Sequence, residues 1–142
     1  VAGPTQPLQL KSGAYCSNGG VWTNASSREY KQDIEDLTPE AAAEALEQLT
    51  PVTYAYKAAP EEHHVGFIAE DAPELVATTD HKGMSAMDVV AVLTKVVQEQ
   101  QSSLEAKDGR IATLEQRLDA QQSQLEQLAG KLAALEGGRP AH

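Results

Sequence analysis

The last third of the chain carries a seven-residue apolar repeat, and this repeat restricts the possible folds more than any other feature. A strict heptad over this many turns produces a left-handed supercoil and requires partner helices. The first register consists of Val90, Val97, Leu104, Ile111, Leu118, Leu125 and Leu132. The second register consists of Leu93, Leu114, Leu128 and Leu135, with the polar residues Gln100, Lys107 and Gln121 between them. We therefore predict a long helix that assembles with other chains as a coiled coil.

An amphipathic helix packed on its own domain is the alternative, but the stripe is longer than a domain of this size could cover. The mixture of Leu and Ile in the two registers does not choose between a two-stranded and a three-stranded coil. Lys107 and Gly109 interrupt the pattern, and glycine inside a helix costs about 1 kcal/mol relative to alanine. We expect a weak point or a kink at residues 107–109.

Charge and apolar content exclude several classes of partner. The net charge is −10, whereas nucleic acids and anionic membrane surfaces are bound by clustered Lys and Arg. The longest apolar run, residues 89–93, is too short to cross a bilayer. We therefore expect no nucleic-acid and no membrane partner. One cysteine, Cys16, permits no internal disulfide. Because the chain starts at Val1, we expect it to be a segment of a longer protein.

The residues before the repeat predict short elements of both kinds. Residues 1–25 are rich in Gly, Ser, Pro and Thr, which indicates irregular or short β structure. Thr38 and Pro39 suit the N-cap and the first position of a short helix, and Pro51 ends its apolar edge at Leu46 and Leu49.

Two strands are expected after that helix. Residues 52–56 alternate and contain β-forming residues, and residues 65–69 are a second candidate, reached through a polar loop at 60–63. The two strands would pair as a hairpin, with Phe67, Ile68 and Leu75 in the core. The predicted fold class is α+β: a small domain of short strands and helices, followed by a long coiled-coil helix.

Ser26 and Lys31 are candidate catalytic residues. A serine hydroxyl needs a base to become a nucleophile, and a lysine serves as that base only when its amine is uncharged. Ser26 and Ser27 lie five and four residues before Lys31, so either serine could reach the amine across a turn. Arg28 would favour the uncharged amine, and Glu29 would oppose it. The spacing alone is common on solvated surfaces.

From about Gly20 to Gln101 the chain resembles the self-cleaving intramolecular chaperone domain at the C-terminus of phage tail spikes and tail fibres, the S74 peptidase family. Residues 24–31 and 64–71, together with the heptad repeat, carry the resemblance. Family members have a serine, then a basic residue, a lysine five residues after the serine and an apolar residue. Ser26, Arg28, Lys31 and Ile34 occupy those places, whereas Tyr30 stands where an aliphatic residue is more usual.

The resemblance implies a cut between Ala25 and Ser26, with Ser26 as nucleophile and Lys31 as general base. Ser27 would instead be a turn or cap serine with no part in the reaction. The hydroxyl could attack its own preceding carbonyl or that of a neighbouring chain. His64 stands where the family has a recurrent histidine, and it would either support the active site or hydrogen-bond across the sheet.

We expect no metal site and no cofactor. His63 and His64 follow two glutamates, which suggests metal ligands, but neighbouring side chains of an extended segment point to opposite faces. A second cluster of metal ligands is not evident in the sequence.

The resemblance implies a homotrimer whose substrate is the upstream fibre segment of the same chain. Accordingly, residues 1–25 would end the fibre or stalk, 26–101 form the chaperone domain, 102–136 the coiled coil and 137–142 a tail. The domain would hold three fibre segments in register, cut once as a single-turnover serine endopeptidase, and leave as a soluble fragment. The implied location is a virion tail fibre or spike, or a fibre on a bacterial surface.

Two rival functions stay open. One is a structural trimerisation cap that never cuts and remains attached to the fibre. The other is a hydrolase acting on outside substrates, which would need a pocket and more polar groups than a domain of this size offers.

Overall fold

The computed structural model of the protein describes residues 7–137. Within that range the chain divides into two compact units, one ending at Asp36 and the other beginning at Leu37. Residues 1–6 of the predicted fibre segment and residues 138–142 of the predicted tail lie outside the described part.

The first unit contains a small antiparallel sheet with the strand order β1 (Leu8–Gln9), β2 (Tyr15–Cys16) and β3 (Trp22–Thr23). Its two hairpin turns are built alike. Gly13 N donates to the carbonyl of the residue three before it at 3.0 Å, and Gly20 N does the same at 3.0 Å. Both glycines have a positive φ, +92° and +79°, which glycine adopts without steric cost.

This first unit has almost no apolar core of its own. Among its described residues only Ala14 is buried. The larger apolar side chains are instead exposed: Leu8, Leu10, Val21, Trp22, Tyr30 and Ile34.

The second unit begins with α1 (Pro39–Gln48) and a hairpin of β4 (Val52–Tyr56) and β5 (Ala59–Gly66). Thr38 caps α1 as predicted, because its hydroxyl accepts a hydrogen bond from Ala41 N at 3.2 Å. The hairpin is also confirmed, and β4 has the predicted limits.

The limits predicted for the second strand were wrong. Residues 60–63 belong to β5 rather than to a loop, and the turn is the shorter one at residues 57–58, next to a bulge between Ala55 and Tyr56. Pro60 lies in the irregular part of the pairing, between Ala59 and His63, where it has no ladder partner, and bulges are among the places where a strand accepts proline. The strand ends at Gly66 because its partner there, Val52, is the first residue of β4.

A 3₁₀ turn (Ala69–Asp71) and a loop connect the hairpin to α2 (Ala86–Gly137), a helix of 52 residues. The core of the second unit lies between α1, this connection and the start of α2. Its buried residues are Ala42, Ala45, Leu49, Ala72, Val76 and Val92. Phe67 packs against them as expected, but the prediction for Ile68 and Leu75 was wrong, since both are exposed.

The start of α2 has two adjacent apolar faces. Val89, Val92 and Val96 pack on the core, while Val90 and Leu93, in the heptad registers, are exposed. From Val97 to Leu135 every residue of the helix is exposed. The heptad residues are between 41% and 73% exposed, so the single chain leaves the whole stripe uncovered.

The α+β class and the long C-terminal helix are confirmed. The weak point expected at residues 107–109 does not interrupt the helix, which continues through them. Among the described residues, no helix combines the length and apolar content that a membrane crossing needs.

Candidate active site

Ser26 and Lys31 lie on either side of a 3₁₀ turn at Arg28–Tyr30 in the first unit. Ser27 caps this turn, and its hydroxyl accepts a hydrogen bond from Glu29 N at 3.3 Å. Lys31 N donates to the Arg28 carbonyl at 3.1 Å. The turn therefore brings residues five apart in sequence to within side-chain reach.

Lys31 Nζ donates a hydrogen bond to Ser26 Oγ over 2.8 Å. A base must lie within about 2.6–3.2 Å of the group whose proton it takes, and this distance meets that condition. The sequence left open which serine reaches the lysine. Ser26 makes the contact, whereas Ser27 bonds the backbone as a cap.

The surroundings of the pair are solvent-exposed in the single chain. Ser26, Lys31, Arg28 and Glu29 are all exposed. Lys31 Nζ is the donor to the hydroxyl in this contact, whereas a lysine that acts as a base must be uncharged and accept the serine proton. The geometry of a Ser-Lys pair is thus present, but not the desolvated environment that favours an uncharged amine.

His64 belongs to the second unit, where it joins two tyrosines on one face of the hairpin. Tyr54 and Tyr56 both lie on β4, two residues apart, and Tyr54 is the cross-strand partner of His64 on β5. The three side chains therefore point the same way. The ring centroids are 5.6 Å apart for Tyr54 and His64, and 5.5 Å apart for Tyr56 and His64. A hydrogen bond with Tyr56, with a smaller effect of burial, raises the pKa of Tyr54 above its usual 10.0.

A groove of about 710 Å³ borders this hairpin, and the sequence reasoning did not find it. Tyr54, Ile68 and Val90 are among its apolar lining residues, and Glu70 and Lys82 also line it. Lys82 Nζ lies 2.9 Å from Glu70 Oε1. The hydrogen bond from Lys82 is the main reason that the pKa of Glu70 falls below its usual 4.5. The two residues are twelve apart and follow no periodic pattern, so nothing in the sequence paired them.

Glu61, Glu62, His63 and His64 all lie on β5. His64 Nε2 is 3.9 Å from Glu62 Oε2. Within residues 7–137, no three His, Cys, Asp or Glu side chains come together as ligands for one metal ion.

The middle of the chain matches a known protein family. Residues 26–81 match the S74 peptidase family, which is described as the chaperone of endosialidase. This segment is an S74 intramolecular chaperone domain. The S74 match begins at Ser26, the residue whose hydroxyl contacts Lys31, and it includes the hairpin with His64. Neither a curated protein nor a solved structure gives a significant match to the chain.

The S74 domain thus contains all three residues singled out from the sequence. Ser26 and Lys31 are in contact, and His64 lies in the other unit with Tyr54 and Tyr56. Ala25 immediately precedes the matched residues. It is half-buried between two exposed neighbours, Asn24 and Ser26.

Proposed function

We propose that this protein is an intramolecular chaperone that trimerises an upstream fibre-like segment and then releases itself by cutting the Ala25–Ser26 bond. The observation that carries the proposal is the 2.8 Å contact between Lys31 Nζ and Ser26 Oγ, at the first residue of the S74 match. Membership of a peptidase family supports the chemistry, and the uncovered heptad stripe supports the assembly.

The proposed reaction is acyl transfer to serine followed by hydrolysis. Ser26 Oγ attacks the carbonyl carbon of Ala25, its own or a neighbouring chain's, while the uncharged Lys31 amine takes the hydroxyl proton. The C–N bond breaks, its nitrogen receives that proton, and an ester joins Ala25 to Ser26 Oγ. Water then opens the ester, which leaves a carboxylate on Ala25 and restores the Ser26 hydroxyl. His64 is a proposed accessory residue.

Assembly would complete this site. A lysine amine loses its proton more readily when it is withdrawn from water, and Ser26 and Lys31 are exposed in the single chain. We infer that neighbouring chains cover the pair once three α2 helices have associated. Cutting would then follow assembly. It would remove the chaperone from a fibre whose three chains it had helped to align.

The test uses a longer protein with its natural upstream segment, run on a denaturing gel. The unmodified chain should give two bands, and mass spectrometry should place the new N-terminus at Ser26. Ser26→Ala and Lys31→Met should each give one uncut band. Ser27→Ala is the matched control, because Ser27 is also exposed but bonds only the backbone of its turn; it should still cut.

If the unmodified protein is trimeric but stays uncut, the proposed peptidase function is wrong. The rival structural cap would then be the better account of the same exposed stripe. Cutting by Ser26→Ala would instead exclude Ser26 as the nucleophile.

A further inference from the structure

Ala25, the residue before the proposed cut, lies against Gly13 of the β1–β2 turn. The β2–β3 register pairs Tyr15 with Thr23, and its continuation by two residues sets Gly13 opposite Ala25. A Cβ built on Gly13 would lie 3.4 Å from Ala25 Cβ. Cross-strand Cβ atoms are ordinarily about 4.5–5.5 Å apart, so this pair lies closer than most cross-strand pairs, at the near end of van der Waals contact.

Comparison of the two turns of the sheet separates the effect of this contact from the effect of backbone conformation. Gly13 and Gly20 occupy the same position in equivalent turns: each donates its N–H three residues back, and each has a positive φ. A Cβ on Gly20 would meet no atom within 4 Å, whereas a Cβ on Gly13 would meet Ala25. The positive φ therefore explains a glycine at both positions, and only Gly13 also gives room to the residue before the cut.

We infer that Gly13 is a positioning residue for self-cleavage and that its contact restricts residue 25 to a small side chain. The inference rests on the proposed function. A side chain larger than alanine at residue 25 would have to move off the turn, and that movement would displace the carbonyl that Ser26 Oγ attacks. Displacement of reacting atoms by about 1 Å can cost a hundredfold in rate. The β1–β3 sheet is thus the part of the upstream chain that presents the substrate.

The closing experiment measures the first-order rate of cutting in the longer protein. Ala25→Leu should cut roughly tenfold to a hundredfold more slowly than the unmodified chain. Gly13→Ala should cut more slowly than Gly20→Ala, although both substitutions place an alanine at a positive φ. The double variant Gly13→Ala with Ala25→Gly should recover the Gly20→Ala rate, because it removes one of the two opposed methyl groups.

Native mass is measured for each variant, so that lost assembly is not mistaken for slow chemistry. If Ala25→Leu fails to assemble, the comparison of Gly13→Ala with Gly20→Ala decides. Equal rates for those two variants, or an Ala25→Leu protein that cuts as fast as the unmodified chain, would overturn the inference and leave the proposed function standing. An unmodified protein that assembles without cutting would overturn the proposed function, and this inference with it.

Discussion

The ring of Tyr54 lies over Gly66 on the neighbouring strand. A Cβ added at Gly66 would be 3.2 Å from Tyr54 Cε1 and 3.4 Å from its hydroxyl oxygen. Gly66 is two residues from His64, the cross-strand partner of Tyr54, so this diagonal contact belongs to the same face as the Tyr54, Tyr56 and His64 cluster. The absence of a side chain at Gly66 is therefore what allows the ring to approach the neighbouring strand this closely.

Gly66→Ala should lower stability. The tyrosine ring would have to move off its present position, and overpacking of this kind costs about 1–3 kcal/mol. Chemical unfolding measures the effect. Gly109→Ala is the contrasting control, because its added methyl meets no atom within 4 Å and alanine favours a helix by about 1 kcal/mol over glycine. A Gly66→Ala protein as stable as the unmodified one would contradict the packing described here.

Ala42→Leu should also destabilise the protein, because α1 packs on α2 through alanine. Ala42 is 0% exposed and lies in one cluster with Val92. Extra methylenes there should cost about 1–3 kcal/mol. The next residue, Ala43, is exposed, so Ala43→Leu should change the unfolding free energy by less than about 0.5 kcal/mol. Equal effects of the two substitutions would place the packed face of α1 elsewhere.

The Glu70–Lys82 pair should make stability depend on pH in the acid range. The pKa of Glu70 is lowered in the folded protein from its usual 4.5, so the stabilisation is present above pH 4.5 and is lost as the pH falls through the folded value. Glu70→Gln should therefore lose less stability than the unmodified protein on acidification from neutral pH. Thermal melts at a series of pH values measure this difference.

High salt should reduce the same difference, because the pair is exposed and screened. Glu74→Gln removes one exposed carboxylate close by and should keep the full acid dependence. If both glutamine variants follow one pH curve, the pair does not stabilise the folded state.

A charge placed in the heptad stripe should break the proposed trimer. Leu118 is 66% exposed in the single chain and belongs to the first register, so Leu118→Glu would bury a carboxylate among three helices. Gln116→Glu adds the same charge outside both registers and should leave the mass unchanged. Sedimentation equilibrium should give a trimer for the control and a lower mass for Leu118→Glu.

Features set by adjacent residues could be predicted from the sequence. The start of α1 after Thr38 depends on local capping, and the limits of β4 depend on the alternation of its residues. The heptad repeat predicts α2. The spacing also made a contact between Ser26 and Lys31 possible, but it did not choose between the two serines. That choice depends on the 3₁₀ turn, in which the hydroxyl of Ser27 is used by the backbone.

Features set by pairing between distant residues could not be predicted. Pro60 looked like a loop residue, but β5 accepts it because it falls in the irregular part of the pairing with β4, and only the sheet defines that register. The Glu70–Lys82 pair and the Gly13–Ala25 approach each join residues twelve apart. Such contacts follow from the register of the strands and the path of the loops. Strand register and loop path produce no periodic pattern in the sequence.

Because α2 runs unbroken from the face that packs on Ala42 into the heptad stripe, it would fix the angle about the helix axis between the folded domain and the proposed coiled coil. One residue inserted between Val97 and Leu104 would turn everything downstream by about 100°, so that the domains and the stripe could no longer both face inward in their original orientation. In the proposed trimer, the length of this helix in residues, as much as its composition, would therefore set which surfaces of neighbouring domains meet.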